Sequence, residues 1–193
     1  MLSKQIKISK EKILQAAFDI TKEKGIEYVS NREIAKYLSS SIRPIYYQFK
    51  NSSELISELY KKIEKYFCDY ITNNLNDTIP KYKQTGINYI KFAKNEKSLF
   101  KVLFMSKIKS EDYSFNIIKE YAMDSTKLSK KDIDTFHNMM WIYTHGIACL
   151  IASEKIILTD EEISNLLTKE FNVLMKGIKD GEYNWSKKFN KEL

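Results

Sequence analysis

The sequence predicts an all-helical fold, and three observations carry that reading. Two prolines and five glycines interrupt 193 residues of which 30% are charged, a composition suited to helices with solvated faces. Apolar residues recur three and four positions apart along most of the chain. Helix starts are marked by a capping residue followed three positions later by glutamate, at Ser30–Glu33, Asn51–Glu54 and Thr159–Glu162.

In chain order, Ser9 with Lys10-Glu11-Lys12 opens the first helix. Ile13, Ala16, Ala17, Ile20 and Thr21 repeat at helical spacing until Gly25 stops it. Ile26 and Val29 bracket a loop and are expected to plug a small three-helix core with Ile34, Leu38, Ile45 and Phe49. Ser30 caps a second helix beginning at Asn31, with Ile34, Ala35 and Leu38 on one face. Ser39-Ser40-Ser41 breaks the pattern, because serine side chains compete for backbone hydrogen bonds. Ser41 is expected to cap a third helix from Ile42 to Gln48, with Pro44 in its first turn, where a missing N–H costs little. Two short helices joined by a three- or four-residue turn make a helix-turn-helix, whose second helix is built to enter a DNA major groove.

The surface of that second helix suits the task. Arg43 can grip guanine or a phosphate, Tyr46, Tyr47 and Gln48 can donate hydrogen bonds, and Ile42 can touch a thymine methyl. Lys50 adds charge where the next helix begins. The two tyrosines point about 100° apart on a helix, so at most one is expected in the core. The candidate DNA-contacting set is Ser30, Asn31, Arg32, Ser41, Ile42, Arg43, Pro44, Tyr46, Tyr47, Gln48 and Lys50. The competing reading is a helical hairpin without DNA.

These residues resemble the DNA-binding domain of the tetracycline-repressor (TetR) family. The resemblance rests on Ile13-Leu14-Gln15-Ala16-Ala17, Gly25, Arg32-Glu33-Ile34-Ala35, Ile45-Tyr46-Tyr47-Gln48-Phe49-Lys50 and Glu54-Leu55, and covers about residues 8 to 60. Ser39 stands at the family's usual turn glycine and Ser40 at its usual buried aliphatic. Gln48 replaces a common His, and Thr21 a common Phe.

The net charge is +7, and over residues 1–62 twelve Lys and Arg face seven Asp and Glu, as an electrostatic DNA footprint would require. Lysine-rich sequence also serves as plain solubilising surface. Lys4, Lys7 and Lys10 precede the first helix as a basic arm for phosphates or as an unstructured tail. Met1 to Lys10 has no apolar core of a signal peptide, and no run reaches the roughly 20 apolar residues of a membrane span. Cys68 and Cys149 lie far apart without metal spacing, which suits free, buried thiols in a reducing cytoplasm. A cytoplasmic protein is expected.

After Asn51 a long helix carries Leu55, Ile56, Leu59, Ile63, Tyr66, Phe67 and Tyr70 on its apolar face to about Asn73. The helix-turn-helix domain is therefore placed at 1–51 and a helical ligand-binding and dimerisation domain at 52–193, joined by this rigid element. Asn73 to Pro80 reads as a loop, and Pro80 opens a helix through Ile87, Tyr89, Ile90, Phe92 and Ala93. Ser98 to Met105 is apolar on nearly every side and is expected to be deeply buried or to line a cavity. Lys107 to Asp112 is polar, and Phe115 to Met123 gives another short helix. Two long helices follow, from about Ser129 to Glu154 and from the Thr159 cap to Gly181. Trp141, His145 and Gly146 form a segment similar to one seen in TetR-family C-terminal domains. The resemblance implies that the last two helices pair with a second copy in a four-helix bundle. Gly146, Ala148 and Ala152 would allow close approach.

His145 and Cys149 share a helix face at a spacing that suits a thiolate–imidazole pair. No third orienting group or glycine-rich loop accompanies them in the sequence, so a polar pair inside a helical interface is preferred over catalysis. His137 and His145 are too far apart to chelate a metal. No enzyme activity, cofactor or metal is expected. Phe67, Tyr89, Phe92, Phe100, Phe104, Met105, Met140, Trp141 and His145 are candidates for a small-molecule pocket, although such residues also build cores. The expected function is that of a homodimeric transcriptional repressor on an inverted-repeat operator, released by a small apolar or aromatic ligand. The alternative is a DNA-binding adaptor whose C-terminal half binds a protein.

Overall fold

The computed structural model describes residues 8–73, 75, 77–106 and 114–182, with backbone alone at 114–116. Lys4, Lys7 and the polar stretch Lys107–Asp112 lie outside the described residues. The described residues form nine α-helices and no strand: α1 (Lys10–Lys24), α2 (Asn31–Tyr37), α3 (Arg43–Gln48), α4 (Ser52–Thr72), α5 (Lys81–Asn95), α6 (Lys97–Met105), α7 (Ser114–Thr126), α8 (Lys130–Ala152) and α9 (Asp160–Lys179). They divide into two compact units. The first gathers the described residues of Met1–Phe67 and Glu96–Ser110, the second those of Cys68–Asn95 and Glu111–Leu193.

In the first unit α1 starts where the Ser9 hydroxyl accepts from the Lys12 amide at 3.3 Å. Ile13, Ala16, Ala17 and Ile20 are buried as their spacing requires. Thr21 is fully buried and donates its hydroxyl to the Ala17 carbonyl at 2.8 Å, so this polar residue leaves no unmet donor. Gly25 ends α1 at φ +112°, and a Cβ there would stand 2.5 Å from the Glu27 carboxylate. One turn of 3-10 helix follows at Ile26–Tyr28, a break the sequence pattern did not announce.

Ser30 caps α2, accepting from the Glu33 amide at 3.2 Å. The connection to α3 spans five residues, Leu38 to Ile42, longer than expected. Within it Ser39 adopts φ +48°, the left-handed conformation that glycine tolerates best. Ser39→Gly is therefore expected to stabilise the protein by roughly 0.5–1 kcal/mol, read as a higher urea midpoint with unchanged slope.

Ser41 does not cap α3, contrary to expectation. Ile42 occupies the cap with helical dihedrals (φ −73°, ψ −16°) and no side-chain bond. Its carbonyl already accepts from the Ile45 amide at 3.1 Å, so the helix starts tightly, one residue beyond the serine. Ile34, Ile45 and Phe49 are buried, while Ile26, Val29 and Leu38 are only half-buried. Phe49 is buried, and so are Leu55 and Leu59 of α4.

Asn51 opens α4 by accepting from the Glu54 amide at 2.9 Å, and Glu54 in turn accepts from the Lys50 amide at 2.7 Å. Lys10 lies 3.9 Å from Glu54 and 3.6 Å from Glu58, which ties α1 to α4. Glu96, buried at the N-terminus of α6, receives Lys22 at 2.6 Å and the Tyr66 hydroxyl at 2.9 Å. That carboxylate holds the Lys22 ammonium above its ordinary pKa. α6 buries Leu99, Phe100 and Val102, but Met105 is 51% exposed, so the helix is not buried on every side.

In the second unit α5 buries Tyr82, Ile87, Tyr89, Ile90 and Phe92. Gly86 lets α9 approach, since a Cβ there would meet Leu167 at 3.3 Å. Ser129 caps α8 and a complete capping box at Thr159 and Glu162 starts α9. Phe136 of α8 meets Phe171 of α9 edge-on at 5.2 Å. The Tyr82 hydroxyl lies 3.1 Å from His137 Nδ1 in the interior, and burial pushes the His137 ring down to about 4.

Candidate nucleic-acid interface

Short α3 is fixed from beneath by Ile45, 2% exposed, and by Phe49 at its end, 3% exposed. With those two turned inward, helical geometry sends Arg43 and Tyr47 outward and Tyr46 to the flank, while Ile42, at the cap, is 41% exposed. Tyr46 and Tyr47 are 62% and 85% exposed, so neither tyrosine joins the core. Ser41, Lys50 and Arg32 are exposed as well, and Ser30 stands exposed at the start of α2. Asn31 and Pro44 are half-buried. Gln48 is half-buried and donates to the Ile8 carbonyl at 3.3 Å, so in this structure it anchors the chain ahead of α1.

No acidic residue occurs from Ile34 to Ser53, a stretch that carries Lys36, Arg43 and Lys50. All three cations are exposed. Lys36, on the outer side of α2, belongs to this basic surface and was missed by motif reading. The acid-free run was the signal that could have found it. Lys10 is engaged with Glu54 and Glu58 rather than extended as an arm.

Comparison with solved structures places this arrangement. A candidate transcriptional regulator of the TetR family from Vibrio parahaemolyticus is similar with a TM-score of 0.65 at 14% identity, over 84% of this chain and 96% of that one. The chain has the fold of TetR-family regulators. A TetR-family transcriptional regulator from Haemophilus influenzae Rd gives a TM-score of 0.57 at 18% identity, over 84% and 93% of the two chains. A transcriptional regulator from Rhodococcus sp. RHA1 gives 0.56 at 15%, over 88% and 97%. No family model and no curated protein matches the sequence. In this TetR-type fold the helix-turn-helix at α2–α3 lies within the first compact unit.

The candidate ligand residues divide between the two units. In the first, Phe67 meets Phe104 edge-on at 5.3 Å and Phe104 lies 4.9 Å from Phe100, while Met105 faces outward. In the second, the Tyr89 hydroxyl lies 2.9 Å from His145 Nδ1 and Trp141 stacks on His145 at 5.3 Å. Phe92 and Met140 are buried in that unit, Phe92 edge-on to Tyr70 at 5.2 Å. Among the described residues no three His, Cys, Asp or Glu side chains are grouped to hold a metal, and no helix is long and apolar enough to cross a membrane.

The outer surface of α8 carries an apolar stripe. Ile142 and Leu150 are 43% and 45% exposed, with Gly146 between them at four-residue spacing and nothing within 4 Å of its would-be Cβ. Val173 of α9 is 56% exposed. Ala148 and Ala152 are buried within the unit, so of the three small residues expected to admit a partner helix only Gly146 is on the open side.

Proposed function

We propose that this chain is a sequence-specific DNA-binding transcription regulator that acts as a two-fold dimer. The observation that carries the reading is α3, which turns Ile42, Arg43, Tyr46 and Tyr47 to solvent inside an acid-free basic stretch of a TetR-type fold. Arg43 would read guanine or clamp phosphate, the tyrosine hydroxyls would bond phosphate or base edges, and Ile42 would meet a thymine methyl. Lys36 and Lys50 would add salt-dependent, sequence-independent attraction.

Pairing through α8 and α9 is supported by the stripe of Ile142, Gly146 and Leu150 and by Val173, large apolar groups otherwise left in water. Leu150→Glu is expected to weaken the dimer about tenfold, since it puts a like charge on both sides of an isologous contact. Analytical ultracentrifugation against concentration checks it, and an unchanged dissociation constant would move the pairing face elsewhere.

Repression with release by a small apolar or aromatic ligand is the fuller form of this proposal. The aromatic content of the C-terminal half supports it. Such a ligand acts only through its differential affinity for DNA-competent and incompetent dimers, tenfold for each ~1.4 kcal/mol. Selection of bound fragments from random duplex DNA tests the core proposal. An inverted repeat with half-sites about one helical turn apart, ~34–36 Å, is the expected outcome. No enrichment over the starting pool at low salt would reject it.

A further inference from the structure

Three reactive groups converge on α8 in the second unit. The Cys149 sulfur lies 3.3 Å from His145 Nε2, and the opposite ring nitrogen lies 2.9 Å from the Tyr89 hydroxyl. Four-residue spacing brings Cys149 and His145 onto one helix face, while Tyr89 comes from α5. Trp141 stacks on the imidazole with only 17° between the ring planes. Cys149, His145 and Trp141 are all half-buried, so the cluster is held by packing yet open to solvent on one side. The proposed DNA surface makes no use of it.

We propose that this cluster captures soft, planar carbon electrophiles of the enone or quinone class, with Cys149 as nucleophile and His145 as the base that takes its proton. In the working tautomer Nδ1 carries the hydrogen and donates to the Tyr89 oxygen, which leaves the Nε2 lone pair facing the thiol. Sulfur bonds to the β-carbon of the conjugated electrophile, and the carbon–carbon π pair moves onto the carbonyl oxygen as an enolate. The thiol proton passes to Nε2 and from the imidazolium to the α-carbon. The product is a thioether, with no leaving group and no oxidant consumed.

The resting pair is neutral, and burial disfavours the charged pair that proton transfer creates, so the transfer from Cys149 to His145 is uphill. Burial pushes the Cys149 thiol up and the His145 ring down, so both are neutral at pH 7. A neutral thiol is a poor nucleophile until its proton is taken, so the neighbouring base decides the rate. Cys68, also half-buried but on α4, provides a comparison thiol in the same molecule.

The test uses the full chain and N-ethylmaleimide as probe, with labelling of the Cys149 and Cys68 peptides followed over time by mass spectrometry. His145→Gln and His145→Ala are each expected to slow labelling at Cys149 at least about tenfold while leaving Cys68 unchanged. Free imidazole is expected to restore the Cys149 rate in His145→Ala, a rescue that a purely structural role would not give. Equal Cys149 rates with and without His145 would overturn the proposal. So would faster Cys149 labelling in both variants, the mark of loosened packing. The reading is taken without DNA, so it stands or falls separately from the regulator proposal.

Discussion

Arg43→Ala is expected to weaken operator binding about 5- to 150-fold, a loss of about 1–3 kcal/mol, while helicity and dimerisation stay unchanged. Arg43 is exposed at the first position of α3, so its removal leaves no cavity and the stability change should stay within about 0.5 kcal/mol. Tyr46→Ala should behave likewise, because the ring is 62% exposed. Fluorescence anisotropy titrations at several salt concentrations separate the two roles open to Arg43. If it reads a base, the loss concentrates on the preferred sequence and specificity relaxes at one position. If it holds a phosphate, all sequences weaken alike and the salt slope falls by about one. Unchanged affinity in both variants would remove α3 from the interface.

The second large effect is on stability below neutral pH. The His137 ring is buried against Tyr82 and titrates near 4 instead of 6.5, with burial the main cause and Lys119 adding to it. Lys119 pairs with Asp134 close by, and Asp134 opposes the shift. A depressed histidine pKa means the unfolded chain binds the proton more readily than the folded one. Stability is therefore whole above pH 6.5 and is lost as pH falls from there toward 4. By pH 4.5 the loss from this group is roughly 2–3 kcal/mol. Urea unfolding at pH 7.5 and 4.5 measures it, with His137→Gln as reference because an amide offers Tyr82 a partner but does not titrate. The variant should lose that much less than the parent over the same interval. The lowered His145 ring acts in the same direction in both proteins and cancels in the comparison. Equal losses in both would show that His137 does not control acid stability.

Much of this was legible in the sequence because helix caps and apolar periodicity are local. Ser9, Ser30, Asn51 and Thr159 stand in the sequence as helix starts, and each accepts the expected backbone amide. The turn between α2 and α3 was less legible: the resemblance puts a glycine position at Ser39, which takes the positive φ, but no residue type announces the helical dihedrals of Ile42 that set the start of α3. Met105 is another case: apolar residues lie on most sides of its helix, and periodicity alone does not say which of them finds a neighbour. Tyr89 was read as a pocket or core aromatic, and its partnership with His145 was missed because 56 positions separate them. For the same reason the candidate ligand residues were gathered into one set, although they belong to two compact units.

The sharpest form of the proposal sets Arg43 of α3 against a guanine edge in the major groove rather than a phosphate. The most direct measurement is a thermodynamic cycle on the selected operator, in which the guanine of each half-site is replaced by 7-deazaguanine to delete its N7 acceptor. The account predicts that the parent protein loses affinity on this duplex and that Arg43→Ala, already weakened, loses no more. Full additivity of the two losses, with Arg43→Ala penalised as much as the parent, would contradict it.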